Sequence, residues 1–522
     1  MPPGQHPVDP VRHSGPPAPS LVPEPAPVRL SVDNGRCRVY GICQQEAPEL
    51  FRVSQSGSLH YTRSVPAEFA AKARQAARCC PMQAIETVRR PPHTPRPSQD
   101  GNGAAPRTRR HRPQRVVVAG GGLAGLSAAA RLRERGFEGE LVVVGEERRK
   151  PYSRPPLSKQ YLSGDLRAEQ LALTTDESVD AHWLLDTPLV SLDAYGRSVQ
   201  LRGGERLPFD GLVLATGVDA RRLPETPLFS DRIRTIRTLE DAAVVQHAMR
   251  VARARRLVVL GGGFIGCELA CTARRQGMDV TLVVHSTPLL RRALGSRVGE
   301  VVGSIQERAG VELKLGTGVD EWRDEGVGLS LRLGSGEVLE CDFVVLGLGG
   351  VPRTEWLRDS GLEVSDGVLC GPTCHAVDVR GNTMPWIVAA GDVARWPNTR
   401  FDTVPRRVEH HIHAVEMGQH AADSLLRGPG SAARFSPVPR FWSEQHGVRI
   451  QAVGMPGLAD GATVVEGSLR KERFVTRYTR ATPRGHQIVG AVAFDMPLEL
   501  LGHRDSIGDV LAGQPPTHTG KV

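Results

Sequence analysis

The stretch at residues 115–136, RVVVAGGGLAGLSAAARLRERG, admits few folds. A β-branched run breaks at Gly120, Gly122 and Gly125 and continues as an Ala/Leu-rich segment, so a strand, a tight turn and a helix N-terminus follow one another. Glycines at this spacing let the backbone turn sharply, let a pyrophosphate approach it, and let the helix pack on the strand. Unpaired amides and the helix dipole then favour phosphate charge. A second apolar strand over residues 140–145 ends at Glu146, about twenty residues past the last glycine, where an acid holds a ribose hydroxyl. A glycine turn alone can simply join a strand to a helix; strand, helix and acid together favour dinucleotide binding.

The pattern recurs in RLVVLGGGFIGCELACTARRQGMDVTLVV, with Gly261, Gly263 and Gly266. Two such units imply two dinucleotides. The second lacks its ribose-binding acid: the strand ends at Val284, followed by His285 and Ser286, with Arg291 and Arg292 beyond. Without that carboxylate, rejection of a 2′-phosphate weakens, so NADH and NADPH both stay open, with a slight lean to NADPH.

A chain of 522 residues should form two to four domains. At 40% apolar and 24% charged it has a globular composition. No apolar run reaches membrane-spanning length, and MPPGQHPVDP lacks the apolar centre of a signal peptide, so a cytoplasmic location is expected. In a reducing compartment the nine cysteines should be thiols or metal ligands. The net charge of +9 resides in residues 1–115, which hold 17 Lys/Arg against 8 Asp/Glu. Such a front could meet nucleic acid, but a solvated face is the commoner outcome, and nucleic acid is not expected as a partner.

Residues 1–27 read as a disordered Pro-rich arm and 91–114 as a flexible linker. The linker would span on the order of 25 to 30 Å and leave the front domain free to visit the rest. Between them, residues 28–90 carry Cys37, Cys43 and Cys80, the last followed by Pro81, with Tyr40 midway between the first two. Thiolates so spaced can converge on one inorganic cluster, although buried cysteines also simply pack.

This region resembles the small bacterial single-cluster ferredoxins, whose pattern APELF and CPMQAI match. The resemblance implies a [3Fe-4S] cluster held by Cys37, Cys43 and Cys80, or a [4Fe-4S] cluster whose fourth iron finds a non-cysteine ligand, with Cys79 a spare thiol. From residue 115 onward the glycine turn, PYSRPPLSK, LATG and VAAGDVARWPN occur in the order of the oxygenase-coupled, FAD-dependent ferredoxin reductases of the putidaredoxin reductase group. The fold so implied is an α+β ferredoxin-like domain joined to an α/β flavoprotein with two Rossmann-like dinucleotide domains and a small α+β C-terminal domain. FAD would occupy 115–222 and 341–430, the nicotinamide nucleotide an inserted 223–340, and 431–522 would form the last domain, as short strands and a terminal helix.

By the same resemblance, Arg154 and Lys159 lie along the FAD, Thr216 and Gly217 border it, and Asp392 holds its ribityl chain. Glu268 approaches the nicotinamide as the catalytic residue, and Trp442 nears the flavin edge facing the ferredoxin. Surface charge, a helix N-cap and core packing are the plain alternatives for Arg154 and Lys159, for Asp392, and for Trp442. The histidines of VEHHIHAVEMGQH are expected to pack near the flavin. The implied activity is an NAD(P)H:ferredoxin oxidoreductase fused to its own ferredoxin, serving a cytochrome P450 or another oxygenase. Its rivals are a flavin oxidase or quinone reductase without a cluster and a redox-responsive nucleic-acid-binding protein.

Overall fold

The computed structural model describes residues 27–54, 57–89, 113–173, 179–224, 226, 230–250 and 255–511. The Pro-rich arm and nearly all of the linker lie outside them. Two parallel sheets organise the larger part of the chain. The first has the order His375–Val377, Thr383–Ala389, Gly211–Leu214, Arg115–Ala119, Glu140–Val144, His182–Leu184, parallel except at its first pair. The second is wholly parallel, in the order Ile233–Thr235, Phe343–Leu346, Arg256–Leu260, Asp279–Val284, Val311–Leu315. Both faces of such a sheet are covered, so its strands read as nearly unbroken β-branched runs, and Val116, Val117, Val118, Val143 and Val259 are completely buried. All strands of the second sheet fall, in sequence, between two strands of the first, so one unit is threaded into the other. Each unit also carries a three-stranded antiparallel annex, Leu189–Pro208 in the first and Val319–Cys341 in the second.

The last region is an antiparallel sheet in the order Arg440–Gln445, Val448–Gly454, Gly485–Phe494, Arg473–Thr482, Gly461–Ser468. Phe474 and Phe494 stack at 4.5 Å between ring centres, and Tyr478 donates its hydroxyl to the Leu294 carbonyl at 2.6 Å, so this sheet shares a core with the second unit. The expected terminal helix shrinks to Pro497–Leu501. The chain then returns as a short strand, Val510–Leu511, on the edge of Gly485–Phe494, where a pairing partner was available.

At the front, Val28–Val32 pairs with Ser64–Val65 and Ile85–Arg89. The helix Ala70–Cys79 buries Ala70, Ala73, Ala76 and Cys79, a small-residue stripe that lets it lie close to its neighbours. The front domain, which its linker leaves free to visit, is docked in this structure. The helix Ala70–Cys79 and the cysteine loop are seated on the rest of the chain through an apolar patch of Tyr40, Ile42, Cys79, Ile412 and Val415. Linker composition bears on tether flexibility only, and the docking contacts come from residues hundreds of positions away.

Candidate functional site

The two glycine turns obey the same sterics. Gly120 has φ +124°, and a Cβ there would lie 2.1 Å from the Ala215 carbonyl oxygen. A Cβ on Gly125 would lie 2.0 Å from the Gly120 carbonyl oxygen, so only glycine lets the helix Leu123–Glu134 start against its own turn. Gly261, at φ +114°, would collide with Gly347, and Gly266 with Gly261, in the same manner. The middle glycines, Gly122 and Gly263, have nothing within 4 Å of that position. They face open space, the first into a cavity of about 970 Å³ and the second into one of about 1110 Å³.

The first cavity brings together Gly120, Gly122, Glu146, Arg154, Lys159, Thr216, Gly217, Glu268, Asp392 and Trp442, while Gly125 supports its floor. Arg154 pairs with Glu147 and donates to the Arg237 carbonyl at 2.6 Å, so it is no surface charge. Burial works against the Arg154 charge, and Tyr152 and Glu147 more than offset it. Burial would also raise the Glu147 carboxyl, yet Arg154 and the Tyr152 hydroxyl hold it below the ordinary range. Asp392 turns to Arg237 at 3.1 Å rather than capping a helix, and Glu146, half-exposed, meets Arg353. Thr216 donates to the Arg353 carbonyl at 3.0 Å.

Glu268 is the junction. It is 4% exposed and accepts hydrogen bonds from Lys159 Nζ at 2.6 Å, Ser158 Oγ at 2.6 Å and Ser443 Oγ at 2.7 Å. These donors come from the first unit and the C-terminal sheet, while Glu268 belongs to the helix Phe264–Arg275 of the second unit. Phe264, at the head of that helix, lines both cavities and packs on Phe441 at 4.9 Å. Sequence reasoning missed Phe264, Ser158, Ser443, Arg237 and Arg353. Phe264 and Ser158 lie inside motifs already quoted, Ser443 follows Trp442 directly, and the two arginines have no local signal.

His410 and His411 line the first cavity, and burial lowers each to about 4, so both are neutral near pH 7. His413 lies off the cavity, stacked on Trp396 at 4.7 Å. The second cavity is walled by Val284, His285, Ser286, Arg291, Arg292 and Lys314 among others. The Val284 side chain is buried against Gly262, leaving no carboxylate at the strand end.

In the front domain Cys43 is buried and pushed up to about 12, by desolvation first and then by the nearby charges of Cys80 and Cys37. Cys37 acts on Cys80 as well, so the three thiols lie near one another. The Ala84 amide donates to Cys80 Sγ at 3.4 Å, the kind of hydrogen bond that stabilises a thiolate. Among the described residues no three His, Cys, Asp or Glu side chains are gathered to hold a single metal ion, and three free thiols are by their chemistry the donors that an iron–sulfur cluster takes. Cys79 instead turns into the apolar seam with Ile412 and Val415, and Tyr40 turns out of the loop altogether.

Two parallel sheets, each opening a glycine turn onto its own cavity, define a two-nucleotide oxidoreductase. Residues 114–418 match the model for pyridine nucleotide-disulphide oxidoreductases, residues 32–87 that for the 4Fe-4S single cluster domain of Ferredoxin I, and residues 440–515 that for the reductase C-terminal domain. Rhodocoxin reductase of Rhodococcus erythropolis is 35% identical over 68% of this chain and 81% of its own, and putidaredoxin reductase CamA of Pseudomonas putida 32% over 77% and 93%. The solved covalent putidaredoxin reductase–putidaredoxin complex matches with a TM-score of 0.69 at 31% identity, over 76% of this chain and 94% of that one. A ferredoxin reductase for the CYP199A2 system of Rhodopseudomonas palustris gives 0.67 at 27%, over 75% and 97%. The chain belongs to the pyridine nucleotide-disulphide oxidoreductases, among the ferredoxin reductases of the putidaredoxin reductase type, with an iron–sulfur domain at its front. It is a flavin-dependent oxidoreductase that uses a pyridine nucleotide. Among the described residues no helix is long and apolar enough to cross a membrane.

Proposed function

We propose that the chain draws electrons from NADPH or NADH into FAD at the first cavity, passes them to the cluster held by Cys37, Cys43 and Cys80, and delivers them to a cytochrome P450 or another oxygenase. The observation that carries this reading is the seat of the cysteine loop. Tyr40, between two cluster cysteines, packs 6.2 Å from Trp442, which lines the flavin cavity. A bound flavin accepts a hydride and returns single electrons, and an iron–sulfur cluster carries them one at a time. The protein's share is position. Gly122 leaves room for a pyrophosphate at a helix N-terminus, Arg154 offers positive charge along the cavity, and Glu268 fixes Lys159 where the two cavities meet. The names of the relatives support the acceptor class: they serve dioxygenase systems and a CYP199A2 system. A three-cysteine set with Tyr40 turned away supports [3Fe-4S].

Anaerobic titration with each nucleotide, following flavin and cluster bands, tests the chain of carriers. Both bands should bleach, and bleaching of the flavin alone would favour the clusterless oxidase. Arg291 and Arg292 line the second cavity and are both exposed. Replacing both with alanine is expected to raise KM for NADPH about 10- to 100-fold and to leave that for NADH nearly unchanged, since charge-assisted hydrogen bonds to a 2′-phosphate contribute about 1.5–3 kcal/mol. Equal change with both donors would place the arginines elsewhere in the binding event.

A further inference from the structure

We propose that Tyr40 is the latch that holds the iron–sulfur domain over the flavin cavity. The inference rests on the electron-transfer reading above and adds to it how the carrier is held. In the loop from Cys37 to Cys43, Val39 has φ +52° and Gly41 φ +73°. A β-branched residue seldom adopts the left-handed region and keeps it only where its surroundings over-determine it. The two reversals throw the intervening side chain out of the loop and into the reductase.

There the Tyr40 ring is 5% exposed, against Trp442 and beside Ile412 and Val415. Its hydroxyl donates to Glu444 at 3.1 Å, and its backbone carbonyl accepts from Gln451 Nε2 at 2.8 Å. One residue thus engages its receptor through ring, hydroxyl and main chain. Its neighbours follow it. The Arg38 carbonyl accepts from Arg449 at 3.2 Å, the Gln45 carbonyl from Arg504 at 3.1 Å, and buried Arg440 lies between Glu46 of the front domain and Glu416 of the reductase. Beyond Trp442, the ring of His411 completes the wall at 5.6 Å, and the backbone of Arg78, two residues before Cys80, acts on that ring. The flavin cavity and the cluster loop are therefore separated by Trp442 and His411, with Tyr40 and the Arg78 backbone on the far side. Tyr40 occupies the position where a fourth cluster cysteine would stand, and the loop has exchanged a ligand for an anchor.

Cys79 reports on the latch because it is fully buried in the same apolar seam. The full-length holoprotein, its Tyr40→Ala and Tyr40→Phe variants, and a reductase-side Glu444→Ala/Gln451→Ala variant with an intact cluster loop are compared in two measurements. The first is alkylation of Cys79 by iodoacetamide, mapped by peptide mass. The second is cluster bleaching after mixing with NADPH, which yields two electrons and a proton per molecule and should reduce two cluster equivalents, with flavin bleaching in the same trace as reference.

In the wild type Cys79 should resist alkylation, and cluster bleaching should be independent of chain concentration. Tyr40→Ala and the reductase-side variant should raise alkylation and slow cluster bleaching by about 10- to 100-fold, the scale of losing a buried, charge-assisted hydrogen bond, and Tyr40→Phe should lie nearer the wild type. If Tyr40→Ala fails to assemble its cluster, the reductase-side variant decides alone. Unchanged Cys79 protection in the undocking variants, or wild-type Cys79 reacting as an exposed thiol, would overturn the latch. Protection that shifts as expected while the cluster never bleaches overturns the electron-transfer reading and leaves the latch standing.

Discussion

Gly120→Val is expected to purify with little bound flavin, and Gly261→Val to keep its flavin and lose its grip on the nucleotide. The two turns have the same shape, so the contrast tests which cavity takes which cofactor. At Gly120 the backbone has φ +124°, and any Cβ would stand 2.1 Å from the Ala215 carbonyl oxygen. Neither atom can yield cheaply, because the residues just before them, Ala119 and Leu214, are paired and completely buried in the first sheet. The turn must shift, and the amides at the head of Leu123–Glu134 shift with it. A strain of about 3 kcal/mol corresponds to about 100-fold in affinity. Gly122→Ala is the control. Its φ of −89° suits any residue and its added methyl meets no protein atom, so only an occupant of the cavity would feel it. Flavin absorbance per chain and thermal unfolding separate the cases: Gly120→Val lowers both, Gly122→Ala the first only. A Gly120→Val chain with stoichiometric flavin would move the flavin seat away from this turn.

Features governed by local sterics were the ones legible in the sequence. The third glycine of each turn avoids a carbonyl only five residues back, and the parallel strands announce themselves as β-branched runs because both faces are buried. Cavity walls built from side chains far apart in the chain were only half legible. Asp392 stands in a legible motif, yet its partner Arg237 lies 155 positions earlier, and Thr216 meets Arg353 137 positions later. Isolated arginines carry no periodic signal to mark them. The direction of Tyr40 is illegible for the same reason, since its loop has a ligand pattern and Glu444, 404 residues on, decides where its hydroxyl goes.

The Glu268–Lys159 pair should separate stability from function when it is taken apart in two ways. Glu268→Ala removes the carboxylate that holds Lys159, whose side chain is 13% exposed, and leaves an ammonium group buried without a counter-charge. Breaking one partner of such a pair costs about 3–5 kcal/mol. Lys159→Met should be milder, because Ser158 and Ser443 still donate to the remaining carboxylate. Replacing both with methionine removes the unpaired charge as well as the pair, and substituting apolar groups for a buried ion pair is often close to neutral. Urea unfolding is therefore expected to show a large loss for the first variant and a small one for the double variant. Hydride transfer should follow a different order. Glu268 ties the helix behind Phe264 to the PPLS turn and to the strand of Trp442, and on the proposed reading it would set how nicotinamide and flavin face one another. A displacement of 1 Å there can cost about 100-fold in rate, so the double variant should remain slow, in stopped-flow bleaching of the flavin, even where its stability returns. Recovery of wild-type hydride transfer together with stability would make the pair a structural strut and would remove Glu268 from the reaction.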